Sequence, residues 1–313
     1  MSAILVQAPG LFTTVQDLGR EGFGPIGVSA SGAADPMSLR IGNRLVGNPD
    51  GVAALEMTLV GGAFRFERAA VIAVTGSDFG PSLDGVALPM WTSIEIREGG
   101  TVKFGASRSG ARAYLCIRGG IAVEPFLGSA STHVLSGLGG FEGRALRKGD
   151  RVKLGAANSP FRKSALSPKA LESLQPRKVI RVTDGPQSDW FAESSRKALC
   201  GNTFRISEQS NRMGIRLAGP PISLDSSREM ITEGVSLGAI QVTPSGQPII
   251  LFVEQQTTGG YPKIANVISA DLHSLGQLRP RDEIRFERVE MSEARSLLIQ
   301  QEALLASKEL IQE

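Results

Sequence analysis

Apolar positions in this chain come mostly as short branched runs bounded by glycine and proline, a pattern of buried or half-buried strands rather than helices. The runs AILVQA and LFTTVQ flank Pro9-Gly10 and predict a hairpin between Ile4 and Gln16. Residues 53–74 read as strands with turns at Gly61-Gly62 and Glu67-Arg68. SIEIREGGTVKFG alternates around Gly99-Gly100 and ARAYLCIRGGI ends at Gly119-Gly120, which predicts two further hairpins. Helical spacing is confined to a few stretches. Asp35 is a good N-cap with Pro36 at the first helical position, ahead of Met37, Ile41 and Leu45. DWFAESSRKALC also reads as a helix. After Phe286 an amphipathic helix carries Ala294, Leu297, Leu298, Leu304 and Leu305 on one stripe, suited to packing on its own domain. The class is therefore mainly β, with a few short helices and one at the C-terminus.

The β pattern fails between Asn158 and Lys178, where three prolines and many charges predict a linker over 161–177. It would separate an N-terminal β subdomain, 1–160, from a C-terminal one, 178–313 with its terminal helix. Leu146-Arg147-Lys148-Gly149-Asp150-Arg151-Val152-Lys153-Leu154 echoes Leu278-Arg279-Pro280-Arg281-Asp282-Glu283-Ile284-Arg285-Phe286, which suggests related halves; a chance repeat of a common turn and strand is the alternative.

Composition sharpens this picture modestly. With 313 residues each half can bury a core of its own, so no staple is required. Cys116 and Cys200 sit apart among apolar neighbours and read as free thiols in a reducing compartment. The first residues lack a basic, apolar leader, no apolar run approaches the roughly 20 residues of a membrane helix, and a charge of +3 leaves no nucleic-acid footprint. The expectation is a cytoplasmic protein without membrane or nucleic-acid partners.

Candidate chemistry concentrates between Pro248 and Gln277. A buried strand, Ile249 to Val253, delivers Glu254, Gln255, Gln256, Thr257 and Thr258, then Gly259-Gly260-Tyr261-Pro262-Lys263. The glycines permit close approach of a ligand to backbone, and a Gly-Gly hairpin turn with a polar edge is the plainer reading. An ammonium beside a phenol can polarise an amide or carbonyl oxygen, with Thr257 and Thr258 holding it and Glu254 or Asp78 taking a proton from water. VIAVTGSDFG brings Asp78 to a second strand tip, where a local Asx or Ser turn would equally account for it. Residues Ser129 to Thr132, before Gly139-Gly140, have the composition of a binding loop. Gln241 stands out, as do Arg212 and Arg216, whose spacing on a strand would share a face and whose guanidinium forks suit carboxylate or phosphate. His273 reads as a surface residue of a helix. The chain contains no P-loop, GxSxG or HExxH, its two histidines form no metal-ligand pair, and the GxGxxG match at Gly22, Gly24 and Gly27 lacks the strand and helix that give it meaning.

The segments TVQDLGREGF, GSASTHVLSGLGGFEGRALRKGD, SNRMGIRLAG, GAIQVTPSGQPIILF and QTTGGYPKIANVISADL, in this order, resemble the KipA family, also known as the C subunit of 5-oxoprolinase, and are similar to the A/B part of the carboxyltransferase region of urea carboxylase. The resemblance runs from about Val6 to Phe286. It implies cyclophilin-like β-barrel subdomains, a KipI-like partner (the B subunit of 5-oxoprolinase), a third partner (the A subunit), and opening of 5-oxo-L-proline to L-glutamate with ATP and magnesium. Lys263, Tyr261, Thr257, Thr258 and Gln241, with Gln256, Gly259 and Gly260, would surround the lactam or its phosphate, and Arg212 would meet an anion. The family's usual residue at position 254 is Asp, so Glu254 lengthens that carboxylate by one methylene. Two alternatives remain: carboxyl transfer from carboxybiotin to a urea-like amide, although the chain lacks a biotinyl-lysine motif, and a non-enzymatic antagonist of a KipI-like kinase inhibitor.

Overall fold

A computed structural model describes residues 2–157, 161–224 and 230–312. The chain divides into two units, one of Met1–Arg20, Ser31–Leu174 and Leu304–Glu313, the other of Glu21–Ala30 and Gln175–Ala303.

In the first unit most strands lie in two sheets. One runs Arg151–Lys153, Ala3–Ala8, Ala63–Phe66, Thr101–Lys103, Ser82–Leu83, Val86–Ala87. The other runs Phe12–Gln16, Ala54–Thr58, Arg112–Ile117, Ala70–Gly76, Ser93–Ile96. Alternation along Arg112–Ile117 shows how the layers form. Ala113, Leu115 and Ile117 join a core with Ile4, Phe64 and Val102 of the other sheet, whereas Tyr114 and Cys116 face a second cluster containing Met37, Ile41 and Leu45 of the Pro36–Leu45 helix. Asp35 caps that helix as expected, its Oδ1 accepting from Ser38 N at 3.0 Å.

The predicted hairpins do not form. Ala3–Ala8 pairs with Ala63–Phe66 and Phe12–Gln16 with Ala54–Thr58, so Pro9-Gly10 carries the chain from one sheet to the other. Gly10 makes this crossing at φ 73°, where a Cβ would lie 2.4 Å from Val60 O. Ser93–Ile96 and Thr101–Lys103 likewise belong to different sheets. Both pairs send apolar residues into the same two-layer core, and the burial gained by covering it from two sides outweighs local pairing.

The stretch read as a linker contains a strand and a helix. Ala165–Leu166 pairs with Ile311–Gln312, Ser167 Oγ caps a helix over Pro168–Ser173 by accepting from Ala170 N, and Leu166 and Ala170 are buried. Pro168 opens this helix.

The second unit is a closed seven-stranded barrel in the order Val179–Asp184, Lys263–Val267, Ala239–Val242, Pro248–Leu251, Gly214–Ala218, Phe204–Ile206, Glu283–Arg288. A parallel pairing of Ile180 with Phe286 closes it. Ala294 and Leu297 of the Met291–Ala306 helix pack on Ile268, Ala270 and Val289. The echoed nonapeptides adopt the same turn. Asp150 Oδ2 accepts from Arg147 N at 2.7 Å and Asp282 Oδ2 from Arg279 N at 2.9 Å, each opening a strand with a buried Val152 or Ile284. Their neighbours differ in part: Val152 pairs antiparallel with Ile4 and Ile284 antiparallel with Phe204, but the strand of Ile284 also pairs in parallel with Val179–Asp184. No helix among the described residues is long and apolar enough to cross a membrane.

Candidate functional site

The strand Pro248–Leu251 leaves the barrel through a turn closed by Gln255 N donating to Phe252 O at 2.9 Å. Glu254 is fixed twice to Arg212: its backbone N donates to Arg212 O at 2.8 Å, and its carboxylate takes the guanidinium Nε. Both side chains are buried, Arg212 at 8% and Glu254 at 5% exposed. Arg212 is therefore spent on an anion within its own unit. Asn211 Oδ1 accepts from Met213 N and Gly214 N, a turn that takes Arg212 out of strand alternation, so Arg212 is buried while Arg216 is exposed and the two do not form a common face.

Lys263 opens the strand Lys263–Val267 and is 2% exposed, an ammonium that requires a partner. Its Nζ donates to Glu233 Oε1. Gln187 Nε2 donates to the same oxygen at 3.0 Å, Gln187 Oε1 accepts from Lys263 N at 3.2 Å, and Gln187 N donates to Lys263 O at 3.2 Å. One glutamine thus holds both the main chain of Lys263 and the acceptor for its ammonium. This close approach needs Gly185, where a Cβ would lie 2.3 Å from Lys263 O. The Glu233 side chain remains 45% exposed, and the Lys263 ammonium, then the Gln187 amide, hold its carboxyl below the ordinary glutamate value. Glu233 and Gln187 did not stand out in the sequence: they lie 30 and 76 residues from Lys263, without a shared motif.

Gln241 pairs across the sheet with Lys263, at an irregularity that follows Ile240. It is 2% exposed and its Nε2 reaches Tyr261 O at 3.4 Å. A Cβ on Gly259 would lie 2.5 Å from Gln241 Nε2 and 3.0 Å from Gln256 Nε2, so glycine there makes room for two amides. Thr258–Gly259 pairs with Glu233–Gly234, so the glycine pair docks the loop on the strand bearing Glu233 instead of turning a hairpin with its own flank. Thr257 is half-buried and its carbonyl accepts from Val235 N. Gln256, Thr258, Gly260 and Tyr261 are exposed. The unit therefore gathers Lys263, Gln241, Gln256, Thr258, Gly259 and Tyr261, plus Glu233 and Gln187. A buried ammonium with a solvent-facing counter-charge, flanked by amide and hydroxyl donors, suits the oxygen of a small amide or carboxylate.

Asp78, Ser129 and Thr132 belong to the first unit. Asp78 Oδ1 accepts from Gly80 N at 2.7 Å and Oδ2 from Arg108 Nη1 at 2.9 Å; the Gly80 N–H foremost, then Arg108, lowers its carboxyl. Ser129 and Thr132 are fully buried. Ser129 Oγ donates to Asp17 Oδ1 at 2.6 Å and Thr132 Oγ1 to Val15 O at 2.9 Å. Asp17 also accepts from Gly19 N, Ala130 N and Ser131 Oγ. The hydroxyl-rich loop is thus organised by a carboxylate the sequence did not single out. His273 is 6% exposed rather than on the surface, because the Ser269–Leu275 turns pack inward behind Asp271, whose carboxylate is ion-paired to Arg181.

The model of the carboxyltransferase domain, subdomain A and B, matches residues 26–288. The chain is 38% identical to the C subunit of the 5-oxoprolinase of Haemophilus influenzae over 91% of this chain and 90% of that one. It is also 38% identical to the Escherichia coli protein of that name, over 91% of each. The urea amidolyase of Saccharomyces cerevisiae is 36% identical over 98% of this chain, which spans only 18% of that protein. The crystal structure of the K. lactis urea amidolyase superposes with a TM-score of 0.91 at 35% identity, covering 97% of this chain and 20% of the other. The resemblance carried by QTTGGYPK and its companion segments is thereby shown, and the chain belongs to the carboxyltransferase domain, subdomain A and B, family.

Proposed function

We propose that this chain is the C subunit of an ATP-dependent 5-oxoprolinase, inactive alone, that opens 5-oxo-L-proline to L-glutamate together with a KipI-like partner and a third subunit. The observation that carries this reading is length as much as identity: the match to two such C subunits covers about nine-tenths of both partners in each comparison. An unstrained lactam is a poor electrophile, and ATP supplies the phosphoryl group that activates its oxygen. Among the described residues no group of three or more His, Cys, Asp or Glu could hold a metal, and the sequence has no P-loop. We assign the nucleotide to the assembly. What this chain contributes is a place for the amide. Lys263 presents an ammonium to the oxygen that gains charge, Gln241 and Gln256 orient the ring amide, and Thr258 and Tyr261 close the solvent side.

Glutamate release is measured with this chain and its two partner subunits, each omitted in turn, with and without ATP. The reading requires glutamate only from the complete mixture with ATP. Lys263→Ala is expected to lower turnover on the order of 10²–10³-fold or more while fold and assembly persist; wild-type turnover in this variant removes Lys263 from the mechanism. The likeness to urea amidolyase favours carboxyl transfer as a second reading. It gains if 5-oxoproline is inert and carboxybiotin transfers its carboxyl group to an amide acceptor.

A further inference from the structure

We propose that Glu233 is the positioning residue of Lys263, held in place by Gln187 so that the ammonium stays fixed at the mouth of the barrel site. This inference rests on the reading of Lys263 as an amide-binding group. Lys263, Gln187 and Glu233 form a closed loop of hydrogen bonds. Lys263 N donates to Gln187 Oε1, Gln187 Nε2 to Glu233 Oε1, and Lys263 Nζ to that same oxygen. A lysine side chain has several rotatable bonds, and a partner for its head fixes where the ammonium sits. Here the grip is an exposed carboxylate on a two-residue strand, Glu233–Gly234, registered opposite Gly259. Glu233 thus also ties the glycine loop to the lysine. The other carboxylate nearby in sequence, Glu254, does not compete for this role because Arg212 holds it. The Lys263 ammonium, and after it the Gln187 amide, also hold the Glu233 carboxyl below the ordinary glutamate value.

Glu233→Ala in the assembled enzyme is expected to lower kcat on the order of 10–100-fold, as when an oriented group loses its hydrogen-bonded neighbour, with KM changed less. Because Glu233 is open to water, added formate should recover part of the activity of Glu233→Ala and none of that of Lys263→Ala. Glu233→Gln should retain more activity than Glu233→Ala. Heteronuclear NMR of the chain alone supplies a readout independent of turnover. The wild type should show a lysine ammonium signal protected from solvent exchange, absent in Lys263→Ala and lost in Glu233→Ala. If wild-type enzyme releases no glutamate but this signal behaves as stated, the activity reading fails and the positioning role survives. An unchanged ammonium signal in Glu233→Ala overturns the proposal, as does a variant with wild-type kcat or tighter substrate binding, which would make Glu233 a competitor for Lys263 instead.

Discussion

Asp17 in the first unit and Lys263 in the second are both buried charges at strand-to-loop junctions, and they end differently. Asp17 accepts from two backbone N–H groups and two serine hydroxyls, and the loop it binds, Ser129 to Thr132, keeps its hydroxyls inside. Beside it Arg20, 2% exposed, donates to Ser131 O and lies with its guanidinium 5.6 Å from the Phe126 ring centroid. Lys263 is as deeply buried, yet its counter-ion leaves nearly half of its side chain in water. A buried charge is closed off when its last partner lies within the knot, and stays within reach of solvent when that partner faces water.

This contrast predicts opposite responses to substitution. Asp17→Ala orphans two backbone donors and two hydroxyls at once and should cost on the order of 4–6 kcal/mol in urea unfolding, with Asp17→Asn costing less because one oxygen still accepts. Turnover per folded molecule should then be unchanged in Asp17→Asn; a stable but inactive variant would move Asp17 into the chemistry. The Arg212–Glu254 pair tests the same idea inside the second unit. Arg212→Met leaves a buried carboxylate without its guanidinium and should cost about 3–5 kcal/mol, whereas Arg212→Met with Glu254→Met should recover most of that loss. Equal losses in the single and double variants would show that the pair contributes shape rather than charge compensation.

These contrasts also mark what the sequence could reveal. Local rules succeeded where their causes are local: Asp35-Pro36 caps its helix, and the alternation in SIEIREGG and the run ARAYLCI before its glycine pair identify real strands. They failed where partners are chosen by burial across the chain. Pro9-Gly10 satisfies every requirement of a turn, yet the strands it joins answer to different sheets because the shared core needs covering from both sides. The QTTGGYPK cluster was legible because its residues are contiguous. Its completion by Glu233 and Gln187 was not, since neither pattern nor periodicity links positions 187 and 233 to 263. Glu254 shows the converse, a carboxylate next to the cluster in sequence that the fold ties to Arg212.

The smallest effect separates Glu233 as a charge from Glu233 as a filler of space. Its carboxyl titrates below the ordinary value of 4.5 because the charged form is bound by Lys263 and then by Gln187. A group depressed in this way contributes stability that is present above the unfolded value and is lost as pH falls through the lower folded value. The wild type should therefore unfold at a higher temperature than Glu233→Gln at neutral pH, and the gap should shrink at pH values below about 4.5. With the glutamate half-exposed, solvent screening keeps the difference to no more than about 1 kcal/mol. Added salt should reduce it further at neutral pH. A gap that persists unchanged through the acid range would mean that the amide fails for reasons of geometry, and the charge on Glu233 would then be incidental to holding Lys263.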